Sequence, residues 1–417
     1  MTEPKRPLGL FEAYGIELEY MIVGRDTLDV LPVSDQVIKS VAGEFVNEVE
    51  QGPVAWSNEV VLHVIEMKSN GPVPSLSVLP DQFQASINSI NAILDNMDGR
   101  LLPTAMHPWM NPFLHTRLWP HGASEIYDTY NRIFNCEGHG WSNLQSMHIN
   151  LPFADDAEFA TLHSAIRLIL PVLPAIAASS PVMEGELTGM MDTRLETYRR
   201  NAEIIPSITG LVVPEPVRSK AEYERVILQP MYRDIAPYDP DRILQEEWLN
   251  SRGAIAKFER NAIEIRVLDV QETPIADLAI ASLIVAVLKK LTANEWADLP
   301  EQLTLSTEAL AAIFSDTIRF AERTVIDNRD FLRLFRFPEQ RCEAREFWQY
   351  LYESVSPALA QGHAGQDQAL RLILESGPLA RRIARPLLKG YRRSKLHEIY
   401  RVLSVCLAQG QLFEGID

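Results

Sequence analysis

Apolar and polar residues alternate over residues 15–23, 144–151 and 262–269, the two-residue period of half-buried strands. Residues 59–67 are dense in β-branched side chains and predict a further strand, and residues 101–106 a short one that His107-Pro108 ends. Gly71-Pro72 and Pro74 mark a break. After it, Phe83, Ile87, Ile90 and Leu94 recur at three- and four-residue spacing and predict a helix over 79–96. Residues 124–134 suit a helix. Residues 156–178 read as a long apolar helix that Pro171 and Pro174 kink near its end, and residues 278–291 as a buried helix. Two long loops are expected, 107–124, rich in Pro, His and Trp, over a site, and 179–219, dense in arginine. From about Glu295 onward the helical period takes over, as in 331–335, 347–351 and 369–374. The expected fold class is α+β, with a strand-rich part over residues 1–292 and a helical C-terminal region over 293–417.

Composition narrows the function. A chain of 417 residues with 46% apolar content can bury a large core or two packed parts. Its formal net charge of −17 argues against non-specific nucleic-acid binding and against an anionic membrane surface. A nucleotide remains compatible with that charge if arginines and metal ions gather in one cleft. The three cysteines, Cys136, Cys342 and Cys406, include no C-x-x-C pair, so neither a disulfide framework nor a zinc site is indicated. Residues 1–7 carry no apolar core of a signal peptide, and the most apolar stretch, 278–291, is too short to span a bilayer. The expectation is a soluble, cytoplasmic protein. The basic run at 381–395 reads as a solvated helix face that balances the acidic body.

The chemistry centres on Gly15-Ile16-Glu17-Leu18-Glu19-Tyr20. Residues two apart on a strand share a face, so Glu17 and Glu19 lie about 6–7 Å apart and repel unless a cation sits above them. On this strand alone an exposed edge with a wet acidic face is the better explanation, and the rest of the chain reverses that. Glu59 and Glu66 would face opposite sides of one unbroken strand. Either a bend near Asn58-Glu59 brings both to one site, or Glu66 alone belongs there, sharing its face with Lys68 and Asn70. His148 stands with Gln145 and Asn150, and Glu264 and Arg266 occupy the polar side of a strand whose Ile263, Ile265 and Val267 form the apolar one. Glu264 and Arg266 can hold a metal and a phosphate, or pair with each other. The segment from Ser179-Ser180-Pro181 to Arg194, Arg199 and Arg200 supplies guanidinium groups suited to bidentate grip on carboxylate or phosphate. The sequence patterns of P-loop, dinucleotide-binding, zincin and serine-hydrolase sites are absent.

Taken in order, Gly15-Ile16-Glu17-x-Glu19, Glu59…Glu66, His107-Pro108, Tyr127…Gln145-x-x-His148, Ala178-Ser179-Ser180-Pro181…Asp192-x-Arg194…Arg199 and Glu264-x-Arg266…Asp269 resemble the glutamate–cysteine ligase superfamily. Within it the chain is most similar to the bacterial carboxylate–amine ligase branch, the second glutamate–cysteine ligase group. The resemblance spans about residues 10 to 292. It implies a curved, mostly antiparallel sheet with helices on one side, as in the catalytic domain of glutamine synthetase, whose concave face binds ATP, two or three Mg2+ and the acyl substrate. It implies Glu17, Glu19, Glu59, Glu66, His148 and Glu264 as metal ligands, and Arg266 and Arg194 as the grip on phosphate or substrate carboxylate. Arg199, Gln145 and Asn150 are the further candidates for holding the nucleotide. Two departures stand out. Many members of the branch carry Gln-His-x-His-x-Gly where this chain has Gln145-Ser146-Met147-His148-Ile149-Asn150. The helical tail after about 293 has no matching counterpart.

The activity so implied is ATP-dependent amide-bond formation, with the γ-carboxylate of glutamate as acyl group and a small amine as acceptor. A repurposed member that binds ATP or a metabolite without catalysis, and a phosphotransferase that forms no amide, are the alternatives. Nothing in the sequence specifies the amine, and the apolar tail helices are compatible with a homodimer.

Overall fold

The alternating segments assemble into one open, antiparallel eight-stranded sheet in a computed structural model that describes residues 6–359 and 362–416. Its strands are β1 (Gly15–Gly24), β2 (Glu48–Gln51), β3 (Val54–Asn58), β4 (Val64–Ser69), β5 (Gly99–Leu102) and β6 (Ser146–Pro152). A separate hairpin of β7 (Val182–Met183) and β8 (Glu186–Leu187) follows, and β9 (Ala254–Lys257) and β10 (Ala262–Asp269) complete the main sheet. The order across it is β2-β3-β4-β1-β6-β10-β9, with β5 paired to the last residues of β1.

Alternation along the central strands separates two faces. Ile16, Leu18, Tyr20 and Ile22 of β1, Ile65 and Met67 of β4, Met147 and Ile149 of β6, and Ile263 and Ile265 of β10 are buried in the main core. Helices Leu79–Leu94, Asp156–Ile169 and Pro274–Thr292 contribute to that core. Pro274–Thr292 is apolar nearly all round because it is enclosed by helices Leu79–Leu94 and Asp156–Ile169 and by tail helices Ala344–Leu359 and Ala364–Ser376. The apolar core therefore runs continuously from the strands into the tail.

The opposite face of β1 carries Glu17 and Glu19 and then turns apolar at Met21 and Val23. These two pack with Leu102, with Leu379, Ile383 and Leu387 of helix Leu379–Leu388, and with Leu396, Ile399 and Leu403 of helix Arg393–Gln409. The tail thus covers one end of the carboxylate-bearing face.

Several expectations are corrected. The strand expected at 59–67 begins only at Val64: residues 59–63 turn, and a strand unread in the sequence, β3, precedes them. The strand expected at 101–106 is Gly99–Leu102. The helix from Asp156 stops at Ile169 and continues as a 3-10 turn, Leu170–Val172, because Pro171 cannot donate to the helical ladder. The arginine-dense loop contains a helix, Thr193–Tyr198. The basic run is not uniformly solvated: Arg381 and Arg382 are buried in ion pairs with Glu322 and Glu272.

Candidate active site

Strand register gathers the polar side chains. In β1–β4, Glu66 lies opposite Glu19 and Lys68 opposite Glu17; Ser57 of β3 lies opposite Glu66. In β1–β6, His148 lies opposite Glu17 and Asn150 opposite Gly15, and in β6–β10 Glu264 lies opposite Asn150. Facing residues of an antiparallel pair point to the same side, so five strands deliver one polar surface. The turn after β3 adds Glu59: of the two alternatives open in the sequence, the bend is realised. Glu17, Glu66 and His148 offer donor atoms within 4.8 Å of one another, and so do Glu19, Glu59 and Glu66. Glu66 belongs to both groups.

Hydrogen bonds hold these groups in place. His148 Nδ1 lies 2.8 Å from Glu17 Oε2, and Asn150 Nδ2 donates to Glu17 Oε1 at 3.1 Å. Ser146 donates to Glu19 through both its backbone N–H (2.7 Å) and its hydroxyl (3.0 Å). Ser57 Oγ donates to Glu66 Oε1 at 2.7 Å, and Lys68 Nζ lies 3.4 Å from the same oxygen. Crowding shows in the ionisation. Burial, then the charges of Glu19, Glu66 and Glu17, push the Glu59 carboxyl well above the usual range. Burial and Glu17 push Glu66 up to about 7 against the pull of Lys68 and Ser57. Burial also opposes charge on Glu17, but the hydrogen bond and charge of His148, with Lys257 and Lys68, take it below the carboxylate range. Oxygen donors with one imidazole at these separations fit a hard divalent cation.

Glu264, 1% exposed, bonds Lys257 through Oε2 and lies 3.2 Å from Arg266 Nε through Oε1. A bulge in β10 between Ile265 and Leu268 carries Arg266. Arg194 stands behind it, donating from Nη2 to the Arg266 carbonyl (2.9 Å), with Nη1 3.5 Å from Asp269 Oδ1. Asp269 in turn accepts from the Ser179 backbone N–H and the Ser180 hydroxyl, each at 2.8 Å. The expected Ser-Ser-Pro…Arg segment is thus brought to the bulge, and Arg194 reaches the site through the Arg266 backbone. Arg199 lies apart from the carboxylates, bonded to Glu196 and to Ser315 of the tail. Gln145 is fully buried, its amide oriented to donate to the Ala105 carbonyl at 3.2 Å.

The polar surface opens at the Gly15 end into a cavity of about 360 Å³ lined by Tyr14, Glu17, Lys68, Pro72, Asn150 and Arg260, among others. A Cβ on Gly15 would stand 3.1 Å from that of Asn150, so a larger side chain there would crowd the floor. A larger cavity, about 540 Å³, lies elsewhere, between helices Pro274–Thr292 and Ala344–Leu359, and holds none of the clustered carboxylates. Sequence reasoning missed Ser57, Ser146 and Lys257 as partners of the carboxylates. Alternation over 144–151 puts Ser146 on one face with His148 and Asn150, but nothing in the sequence pairs it with Glu19; Ser57 and Lys257 lie on strands that were not anticipated.

The family description Glutamate-cysteine ligase family 2 matches residues 13–401, well into the tail for which the sequence alone suggested no counterpart. An uncharacterized protein of Archaeoglobus fulgidus is 37% identical over 275 residues, 66% of this chain and 73% of that one. A protein of Nocardioides sp., named as a candidate glutamate–cysteine ligase 2-1, is 29% identical over 57% of this chain, which spans about half (54%) of that relative. Among solved structures, a glutamate–cysteine ligase of Francisella tularensis in complex with AMP aligns with a TM-score of 0.57 at 13% identity, covering 96% of this chain and 89% of that one. A bifunctional glutathione synthetase of Pasteurella multocida aligns at 0.64 and 12% identity, covering 96% and 53%. With the antiparallel sheet, its carboxylate face and a match along nearly its whole length, the chain belongs to glutamate–cysteine ligase family 2.

Proposed function

We propose that this protein is an ATP- and Mg2+-dependent carboxylate–amine ligase that forms an amide through an acyl phosphate, with the γ-carboxylate of glutamate as the acyl group. The observation that carries the reading is Glu66, shared between two sets of metal-capable side chains. Four glutamates and a histidine so close cannot all be charged in a cleft without added positive charge, and the raised Glu59 and Glu66 carboxyls register that shortfall. Glu17, Glu66 and His148 would hold one cation, and Glu19, Glu59 and Glu66 a second. Held by these residues, a magnesium ion would supply positive charge against the charge that develops in phosphoryl transfer.

The chain's own contribution is positioning. Ser146, Ser57 and Asn150 fix the carboxylate rotamers. Arg266, anchored by Arg194 at its carbonyl and Glu264 at Nε, is placed to stabilise anionic oxygens, a contribution of about 3–4 kcal/mol when aimed at the transition state. A carboxylate oxygen of the acyl substrate attacks the γ-phosphorus as the bond to the ADP oxygen breaks. The amine nitrogen then attacks the acyl carbon, phosphate leaves, and the amine gives up a proton. No enzyme nucleophile is needed, and the three cysteines are buried, burial pushing the Cys406 thiol up to about 11.

The test is to incubate purified protein with ATP, Mg2+, glutamate and a panel of amines including cysteine, following phosphate release and product mass. Amide product is expected with one amine. ADP formation with no amide for any pair, or no metal-dependent nucleotide binding, would overturn the reading.

A further inference from the structure

The cavity of about 540 Å³ against helices Pro274–Thr292 and Ala344–Leu359 has a volume within the range of small-molecule sites, about 300–1,000 Å³. Its walls are mixed: Leu76, Val285, Ala286 and Val355 are apolar, while Ser75, Ser77, Ser282 and Ser354 carry hydroxyls. Two further polar groups on these walls lack partners. Gln366 is 5% exposed; its Oε1 accepts from the His363 N–H at 3.2 Å, and its Nε2 is buried with no hydrogen-bond partner. A buried donor left unpaired is costly, and an acceptor in the cavity would satisfy it. Lys289 pairs with no carboxylate among the described residues, its ammonium standing 5.6 and 5.8 Å from the ring centres of Phe11 and Tyr14. Lys290 beside it is neutralised by Glu295 at 2.7 Å. The cavity therefore carries one uncompensated positive charge, in a chain whose net charge is −17. It is also walled off from the carboxylate face. Residues 70–72 line the smaller cavity and residues 74–77 the larger, and Tyr14 and Val73 exchange backbone hydrogen bonds at 2.8 and 2.9 Å that fix the wall between them.

We propose that this cavity is a second small-molecule site, for a monocarboxylate with a short apolar body and an amide or hydroxyl group. Its carboxylate meets Lys289, its polar group takes the Gln366 Nε2 donor and the serine hydroxyls, and its apolar body lies on Leu76, Val285 and Val355. The single free cation selects a monoanion, because a phosphate dianion would bring a second charge that nothing on the walls offsets. A ligand held there is separated from the clustered carboxylates by the wall at residues 70–77, so the site is distinct from the chemistry proposed above and does not rest on it.

The probe is N-acetylleucine, which has one carboxylate, one amide and a branched apolar side chain and cannot act as an amine acceptor. Its binding to the full-length protein is measured by calorimetry beside that of neutral N-acetylleucinamide, with thermal unfolding as the folding control. The variants are Lys289→Gln, Ser354→Phe, which fills the cavity, and Glu17→Gln on the carboxylate face. Wild type is expected to bind one N-acetylleucine, and the amide about ten-fold more weakly, the worth of a charge-assisted contact. Lys289→Gln should erase that difference by weakening the acid alone, Ser354→Phe should abolish binding of both, and Glu17→Gln should change neither. Lys289 is exposed, so Lys289→Gln decides the matter even where Ser354→Phe fails to fold. No saturable binding of N-acetylleucine up to about 10 mM, equal affinity for acid and amide, or unchanged binding in Lys289→Gln overturns the proposal. Binding that survives in Ser354→Phe and disappears in Glu17→Gln would move the ligand to the carboxylate face and overturn it as well.

Discussion

Replacing Arg382 by Met tests how the C-terminal helices are fastened to the sheet. Arg382 and Glu272 are both fully buried, with Nη1 2.6 Å from Oε1 and Nη2 3.4 Å from Oε2. Arg382 also bonds the Phe413 carbonyl, and the Phe413 N–H donates to Glu272 at 3.3 Å. The substitution keeps most of the side-chain volume but leaves a buried carboxylate with that one amide and an unsatisfied carbonyl. Breaking a buried pair in this way costs about 3–5 kcal/mol, a large share of a total stability of about 5–15 kcal/mol. Removing both charges, in Glu272→Met with Arg382→Met, should recover most of the loss, since apolar replacement of a whole buried pair is near neutral. Urea unfolding followed by tryptophan fluorescence measures the cost. Hydrogen exchange should localise it to helices Leu379–Leu388 and Arg393–Gln409, which cover Met21 and Val23. A single variant within about 1 kcal/mol of wild type, or a double variant no better than the single, would refute the argument.

Other expectations follow from the same structure. Mg2+ or Mn2+ should raise the unfolding temperature of wild type, by the equivalent of about 2.7 kcal/mol at one hundred times Kd, and should fail to do so in Glu66→Gln, which removes the ligand common to both sets; an equal shift in the variant would remove Glu66 from the metal site. Arg194→Met should lower kcat through loss of the Arg266 carbonyl anchor and destabilise the fold by leaving the buried Asp269 without its cation, with Lys restoring stability more than turnover; steady-state kinetics beside thermal melts would expose an unaffected kcat. His163 is buried among Phe159 and Tyr223, and burial, with Arg167 and Arg252, lowers its imidazole to about 3. The folded protein keeps it neutral while the unfolded chain takes up a proton, so this stability is present above about pH 6.5 and is lost as pH falls toward 3. His163→Phe should therefore move the acid-unfolding midpoint downward, and an unchanged midpoint would contradict the assignment.

Much of the site was legible one strand at a time. Period-two alternation placed Glu17 with Glu19, Ser146 with His148 and Asn150, and Glu264 with Arg266, because which side of its own strand a residue takes depends only on parity. β3 escaped notice because it is five residues long and its face toward the carboxylates offers only Ala55 and Ser57, too little contrast with Val54 and Trp56 to read as alternation. The turn at 59–63 was masked by Val60, Val61 and Leu62, whose β-forming character is overridden where Val61 pairs with Leu118 and His63 lodges against the Ser142 carbonyl.

By itself, the sequence determined that an acidic, globular chain sets carboxylates, a histidine and an arginine on the polar faces of several strands, in an order similar to that of one ligase family. The tertiary structure decided which of them meet. Register between strands put Glu66 against Glu19 and within reach of Glu17, packing of the tail ended the polar face at Met21 and Val23, and burial turned Arg381 and Arg382 from surface charges into anchors. The reason is physical: parity is a local property of the backbone, whereas the work of a charge depends on its distance to other charges and to water, which only the folded chain sets.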